Sequence, residues 1–223
     1  MKKSMSIGVI PFTALIAVLG FFNCEALAAS LTTLQFESAP RSWVGRGQSR
    51  SVTPEDNFSF SASRNFDNGV SFRINNLVSN PPRDSKYWTL NLAAPFEALL
   101  TPGLYSDTAR FPFQSAGQPG LTFSGNHRGN NRNGGFFEVL EATYLADGTV
   151  ASFAVDFTQY GEQQQERWIN GKLRFNSNIA LDGSIIDADE PGDEPKSVPE
   201  SSATLGMGLA LGFSALVLVG KKK

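Results

Sequence analysis

Cysteine and histidine are almost missing from this chain, with one of each, Cys24 and His127. A lone cysteine closes no internal disulfide, and a lone histidine builds no multi-histidine metal site. Cysteine–histidine catalysis is excluded once Cys24 is assigned to a removed leader, as argued below. A charge excess is also missing: Lys and Arg number 19 against 21 Asp and Glu, so nucleic acid has no electrostatic footprint. There is no Gly-x-Ser-x-Gly, no His-Glu-x-x-His and no phosphate loop. No long amphipathic helix interrupts the middle of the chain. The expectation is a non-enzymatic protein with no cofactor and no metal. Paired carboxylates for glycan hydrolysis stay open, with Glu138, Glu141, Asp156 and Glu162 as candidates, because their geometry belongs to the fold.

Long apolar runs are confined to the two ends. Lys2 and Lys3 precede an apolar stretch from Ile7 to Phe22, and Ala26-Leu27-Ala28 fits a small-x-small cleavage site. Residues 1–29 therefore read as a signal peptide with Cys24 as a passenger. At the other end Val198-Pro199-Glu200-Ser201 is followed by an uncharged run to Gly220 and then Lys221-Lys222-Lys223. Residues 203–220 match about 30 Å of hydrocarbon as a transmembrane helix. The lysines would hold the cytoplasmic side as a membrane stop.

That order of polar motif, membrane-length segment and basic cluster resembles the PEP-CTERM sorting signal of bacterial surface proteins, with Ser201 where the archetype has a second proline. The resemblance implies export and capture in the inner membrane. It also implies processing by an exosortase-type membrane enzyme and association with exopolysaccharide. The destination it implies is the periplasm, cell surface or extracellular matrix.

Residues 30–180 are one domain's worth of chain, with basic and acidic residues balanced and arginine far ahead of lysine. Residues 181–197 are rich in Asp, Glu, Gly and Pro and read as an acidic disordered linker. Asp187, Asp189 and Asp193 lack EF-hand spacing, so a solvated spacer is favoured over a calcium site.

Period-two alternation dominates the domain. Leu34/Phe36, Phe58/Phe60, Val70/Phe72/Ile74, Trp88/Leu90/Leu92, Phe153/Val155/Phe157 and Leu173/Phe175 each alternate with polar neighbours. Each run predicts a half-buried strand. Ala146-Asp147-Gly148 predicts a hairpin turn between Phe136–Leu145 and Thr149–Gln159. Phe96 to Leu100 has room for one helical turn before Pro102. The expected fold is all-β, an antiparallel β-sandwich or a jelly-roll-like barrel, flanked by the signal helix and the transmembrane helix.

The most unusual loop runs from Gly125 to Gly135 and holds His127, Arg128 and Arg132 among glycines and asparagines. His127 there reads as a solvated loop residue. Arg110–Phe113, Pro119-Gly120-Leu121, His127–Asn131, the Phe136–Phe157 hairpin and Gln159–Glu162 together resemble an uncharacterised extracellular bacterial β-domain. That pattern has cysteines where this chain has Asn130 and Gly161, which implies that the two loops lie side by side.

Two readings of these loops stand open. Arg110, Arg128, Asn131, Gln159 and Glu162 serve as loop scaffolding, with Arg110 paired to a carboxylate such as Glu138 or Asp156. Alternatively Arg110, Arg128, Asn131, Gln159, Tyr160, Glu162 and Trp168 contact a glycan, with Trp43, Tyr160 or Trp168 supplying a stacking face. The leading expectation is a surface protein bound to exopolysaccharide or envelope matrix. The alternatives are an envelope polysaccharide hydrolase or lyase and a protein-binding adhesin.

Overall fold

The computed structural model describes residues 30–78 and 86–186. The signal peptide, most of the acidic linker, the sorting motif Val198–Ser201, the membrane segment and Lys221–Lys223 lie outside the described residues. The domain is all-β, with two antiparallel sheets.

Among the described residues ten strands follow in chain order: β1 Leu31–Ser38, β2 Arg50–Val52, β3 Phe58–Arg64, β4 Val70–Asn76, β5 Tyr87–Ala93, β6 Gly103–Tyr105, β7 Gly120–Gly125, β8 Asn133–Tyr144, β9 Val150–Gly161 and β10 Trp168–Ser177. One sheet has six strands in the order β2-β1-β10-β9-β8-β6, and the other has four in the order β3-β4-β5-β7. Every strand expected from alternation forms. The Asp-Gly hairpin forms as well: Leu145 N–H donates to Thr149 O at 2.8 Å, and Thr149 N–H donates to Asp147 Oδ1 at 2.9 Å. The expected turn near Phe96 is a single 3-10 turn, Pro95–Glu97, with Phe96 and Glu97 at positive φ.

Alternation decides which side chains meet. Leu34 and Phe36 on β1, Phe137 and Val139 on β8, Phe153, Val155 and Phe157 on β9, and Leu173 on β10 point inward. From the other sheet they meet Val70, Phe72, Ile74, Trp88, Leu90, Leu92, Leu121 and Phe123. Rings bind the two sets: Phe36 is edge-on to Trp88 at 5.7 Å and to Phe123 at 5.3 Å, and Phe72 lies 5.3 Å from Phe153. Burying each such ring stabilises the fold by about 1.5–3 kcal/mol. With so many buried rings the core holds together without a disulfide.

The outer edge of β7 is bridged by backbone at its two ends, where Leu121 N–H donates to Ala109 O at 2.8 Å and Gly125 N–H to Arg128 O at 3.0 Å, and between them it is closed by side chains. Phe123 N–H donates to Gln159 Oε1 at 2.6 Å, and Gln159 Nε2 donates to Phe123 O at 3.0 Å. Asn133 Nδ2 adds bonds to Leu121 O at 3.3 Å and Thr122 Oγ1 at 3.1 Å. Primary amides carry one donor and one acceptor face, so they imitate a neighbouring strand.

The packed chain runs past the boundary expected at 180. Ala180 N–H donates to Ser184 O at 2.8 Å, and an isolated bridge joins Ile179 to Ile185. Asp182 lies in this turn, where the Ser184 hydroxyl and N–H hold its carboxyl below the usual range. The turn lies over one end of the six-stranded sheet. There Arg174 Nε donates to the carbonyls of Ile179 and Ala180 at 3.1 and 3.2 Å, and Lys172 Nζ donates to Leu181 O at 2.7 Å.

Candidate functional site: the outer face of the six-stranded sheet

Strand register builds a surface opposite the core. One row across the sheet reads Glu37, Asn170, Thr158, Phe136. The next reads Ser51, Gln35, Lys172, Asp156, Glu138, Leu104. On the far side of the first row, Trp168 pairs with Tyr160, and Tyr160 with Gly134. On the far side of the second row, the C-terminal turn covers Arg174, and both Arg174 and its strand partner Ala154 are wholly buried. The uncovered part forms a groove of ≈ 580 Å³ lined mainly by these two rows and by Arg50 from the sheet edge.

The groove's chemistry is amide, hydroxyl, carboxylate and ring. Thr158 Oγ1 donates to Asn170 Oδ1 at 2.9 Å, which fixes both side chains. Asp156 accepts from Arg174 Nη1 at 2.8 Å and pairs with Lys172 Nζ at 3.3 Å. Glu138 stands beside it and has no ion pair among the described residues. Phe136 is 41% exposed at the far end, so a large part of its apolar ring is left in water. Fixed polar groups beside a flat apolar face suit a sugar, which presents hydroxyls at its rim and C–H groups on its faces.

The sequence candidates divide. Tyr160 and Trp168 are paired on the same sheet face as the groove, just beyond its lining. Gln159 does not: it is fully buried and its amide is bonded to β7, so it is corrected from glycan contact to scaffold. Arg128 reaches inward and donates from Nε to Val44 O at 3.3 Å. Arg110, Asn131 and Glu162 cluster in the loops at the strand ends. Asn131 N–H donates to Glu162 Oε1 at 2.8 Å, and Arg110 Nη1 donates to Asn131 O at 3.3 Å. The carboxylate pairing expected for Arg110 does not form. Its guanidinium lies over the Phe113 ring at 4.8 Å, while Asp156 is held by Arg174 and Lys172. His127 makes a side-chain contact, with Nδ1 3.3 Å from the Tyr87 hydroxyl.

Asn130 and Gly161 do lie side by side. A Cβ placed on Gly161 would be 2.8 Å from Asn130 Nδ2 and 3.2 Å from its Cγ, within the reach of a disulfide. We expect Asn130→Cys with Gly161→Cys to oxidise spontaneously and to stabilise the domain by about 3–4 kcal/mol. Chemical denaturation with and without reductant measures this. Identical midpoints in the two conditions would refute it.

Groove residues that sequence reasoning passed over include Gln35, Glu37, Phe136, Thr158, Asn170 and Lys172. Their signal was parity: each lies one step from a core residue on its strand. Among the described residues no group of three or more His, Cys, Asp or Glu converges as a metal site. In comparisons with known proteins the chain matches no family model, no curated protein and no solved structure.

Proposed function

We propose that this chain is an exported, non-enzymatic surface protein whose β-sandwich binds saccharide. The proposed ligand is a segment of exopolysaccharide or envelope matrix held along the outer face of the six-stranded sheet. The observation that carries the reading is the groove itself, with polar rows fixed by strand register and Phe136, Tyr160 and Trp168 on the same face. The ends of the chain supply the address. A leader over residues 1–29 directs export. The Val198–Ser201 motif, the apolar segment and Lys221–Lys223 direct membrane capture and exosortase-type processing. The groove supports binding over cleavage because Asp156, the carboxylate beside Glu138, is already bonded to Arg174 and Lys172, and the groove's other carboxylate, Glu37, stands on β1, three strands from Glu138 on β8.

A protein-binding reading has one observation in its favour. Phe66, Phe96 and Phe113 are each more than 70% exposed, and Phe66 packs on Phe111 at 5.5 Å. The saccharide reading is preferred because fixed polar side chains accompany the groove's ring.

The test is retention of the full chain, in mild detergent, on the host's own exopolysaccharide. Phe136→Ala and Trp168→Ala are each expected to weaken retention by about five- to tenfold, the loss of one stacking face. Release of new reducing ends should be absent. Wild type that folds yet passes through unretained sinks the reading, and release of reducing ends replaces it with the hydrolase.

A further inference from the structure

The β1–β2 loop is built rigidly around a tryptophan that is more than half exposed. Ser42 N–H and Gly47 N–H both donate to Ala39 O at 3.0 Å, and Arg46 N–H donates to Ser42 O at 2.8 Å. Ser42 and Val44 are buried, with Val44 part of the core. Gly45 packs so closely on β1 that a Cβ there would fall 2.3 Å from Ser38 Oγ. Arg128 secures the loop through the Val44 carbonyl. Between its two buried neighbours Trp43 points outward and is 56% exposed.

Three arginines surround that indole. Arg41 and Arg46 come from the same loop, and Arg167 comes from the 3-10 turn before β10. Together with Pro40, Ser42 and Trp43 they line a cavity of ≈ 450 Å³. None of the three guanidinium groups has a hydrogen bond or ion pair among the described residues. Like charges gathered at one cavity repel, so the pocket favours an anion. Guanidinium binds carboxylate through two parallel bonds, and the indole offers a flat apolar face.

We infer that this pocket is a second saccharide site, selective for a sugar that carries a carboxylate. The carboxylate lies among Arg41, Arg46 and Arg167, and the pyranose ring lies on Trp43. The cavity volume suits one or two sugar residues. A bare phosphate would leave the indole unused. A nucleic acid would need a wider basic surface than a chain of net charge −2 supplies. The pocket shares no lining residue with the groove on the sheet face, so each can fail without the other.

The experiment titrates the full chain in mild detergent with trigalacturonate, following tryptophan fluorescence and heat. Xylotriose, inorganic phosphate and oligothymidylate serve as comparison probes. Trigalacturonate is expected to bind, with affinity falling as salt rises. Arg41→Gln and Arg46→Gln should each weaken it by about tenfold, and Trp43→Ala by at least as much. Trp43→Phe should keep most of the affinity, and Leu145→Ala, exposed and lining neither the pocket nor the groove, should leave it unchanged. The altered side chains are exposed, and far-UV circular dichroism confirms that each variant folds. Equal binding of xylotriose, equal binding of phosphate or tighter binding of oligothymidylate would each overturn the inference. So would arginine variants that bind like wild type. Loss of binding on Phe136→Ala alone overturns this pocket while leaving the groove standing.

Discussion

Replacing Arg174 with methionine is expected to destabilise the domain by about 3–5 kcal/mol, the range for removing one partner of a buried ion pair. Arg174 is wholly buried while the Asp156 side chain is one-third exposed. Nη1 donates to Asp156 and to the carbonyls of Val155 and Leu173, and Nε donates to those of Ile179 and Ala180. Methionine fills similar space but leaves those acceptors with fewer donors in a place water does not reach. Because the C-terminal turn rests on the same guanidinium, its cleavage by protease should become faster than global unfolding allows. Arg174→Lys should recover part of the loss, since an ammonium restores the charge without the planar fork. Urea unfolding of the three proteins measures the effect. A change under 1 kcal/mol for the methionine variant would show that the carbonyls find water and that the turn holds itself.

Gln159→Leu should cost about 2–4 kcal/mol, because it strands a donor and an acceptor on a buried strand edge. Phe123 gives its N–H to Gln159 and takes a bond from the same amide on the outer edge of β7. The substitution keeps the volume, so the loss reports the two bonds and not a cavity. Amide exchange at Phe123 should speed up well beyond its neighbours, while saccharide retention by the remaining folded protein should not change. Retention lost in a variant of full stability would return Gln159 to the binding site.

Strands with one buried face were legible in the sequence because burial repeats every second residue. The three-residue strands β2 and β6 were not, since so short a stretch shows no period. β7 held a signal that went unused, with Leu121 and Phe123 alternating between glycines. Gln159 could also have been placed, because it continues the inward parity of Phe153, Val155 and Phe157. Arg174 could not. Its parity is outward, and only the turn beyond β10, lying back over the sheet, buries it.

The sequence by itself determined an all-β domain, its hairpin and most of its core. These follow from local periodicity and turn chemistry, whereas the closeness of Asn130 to Gly161 was implied only by the resemblance to another β-domain. Only the tertiary structure decided that the strands form two sheets and that Tyr160 and Trp168 share a face with Phe136. It alone gathered Arg41, Arg46 and Arg167 around Trp43. Each of those facts depends on strand neighbours far apart in the chain. A side chain's direction is set by its own strand, but its company is set by which strands pair and in what register.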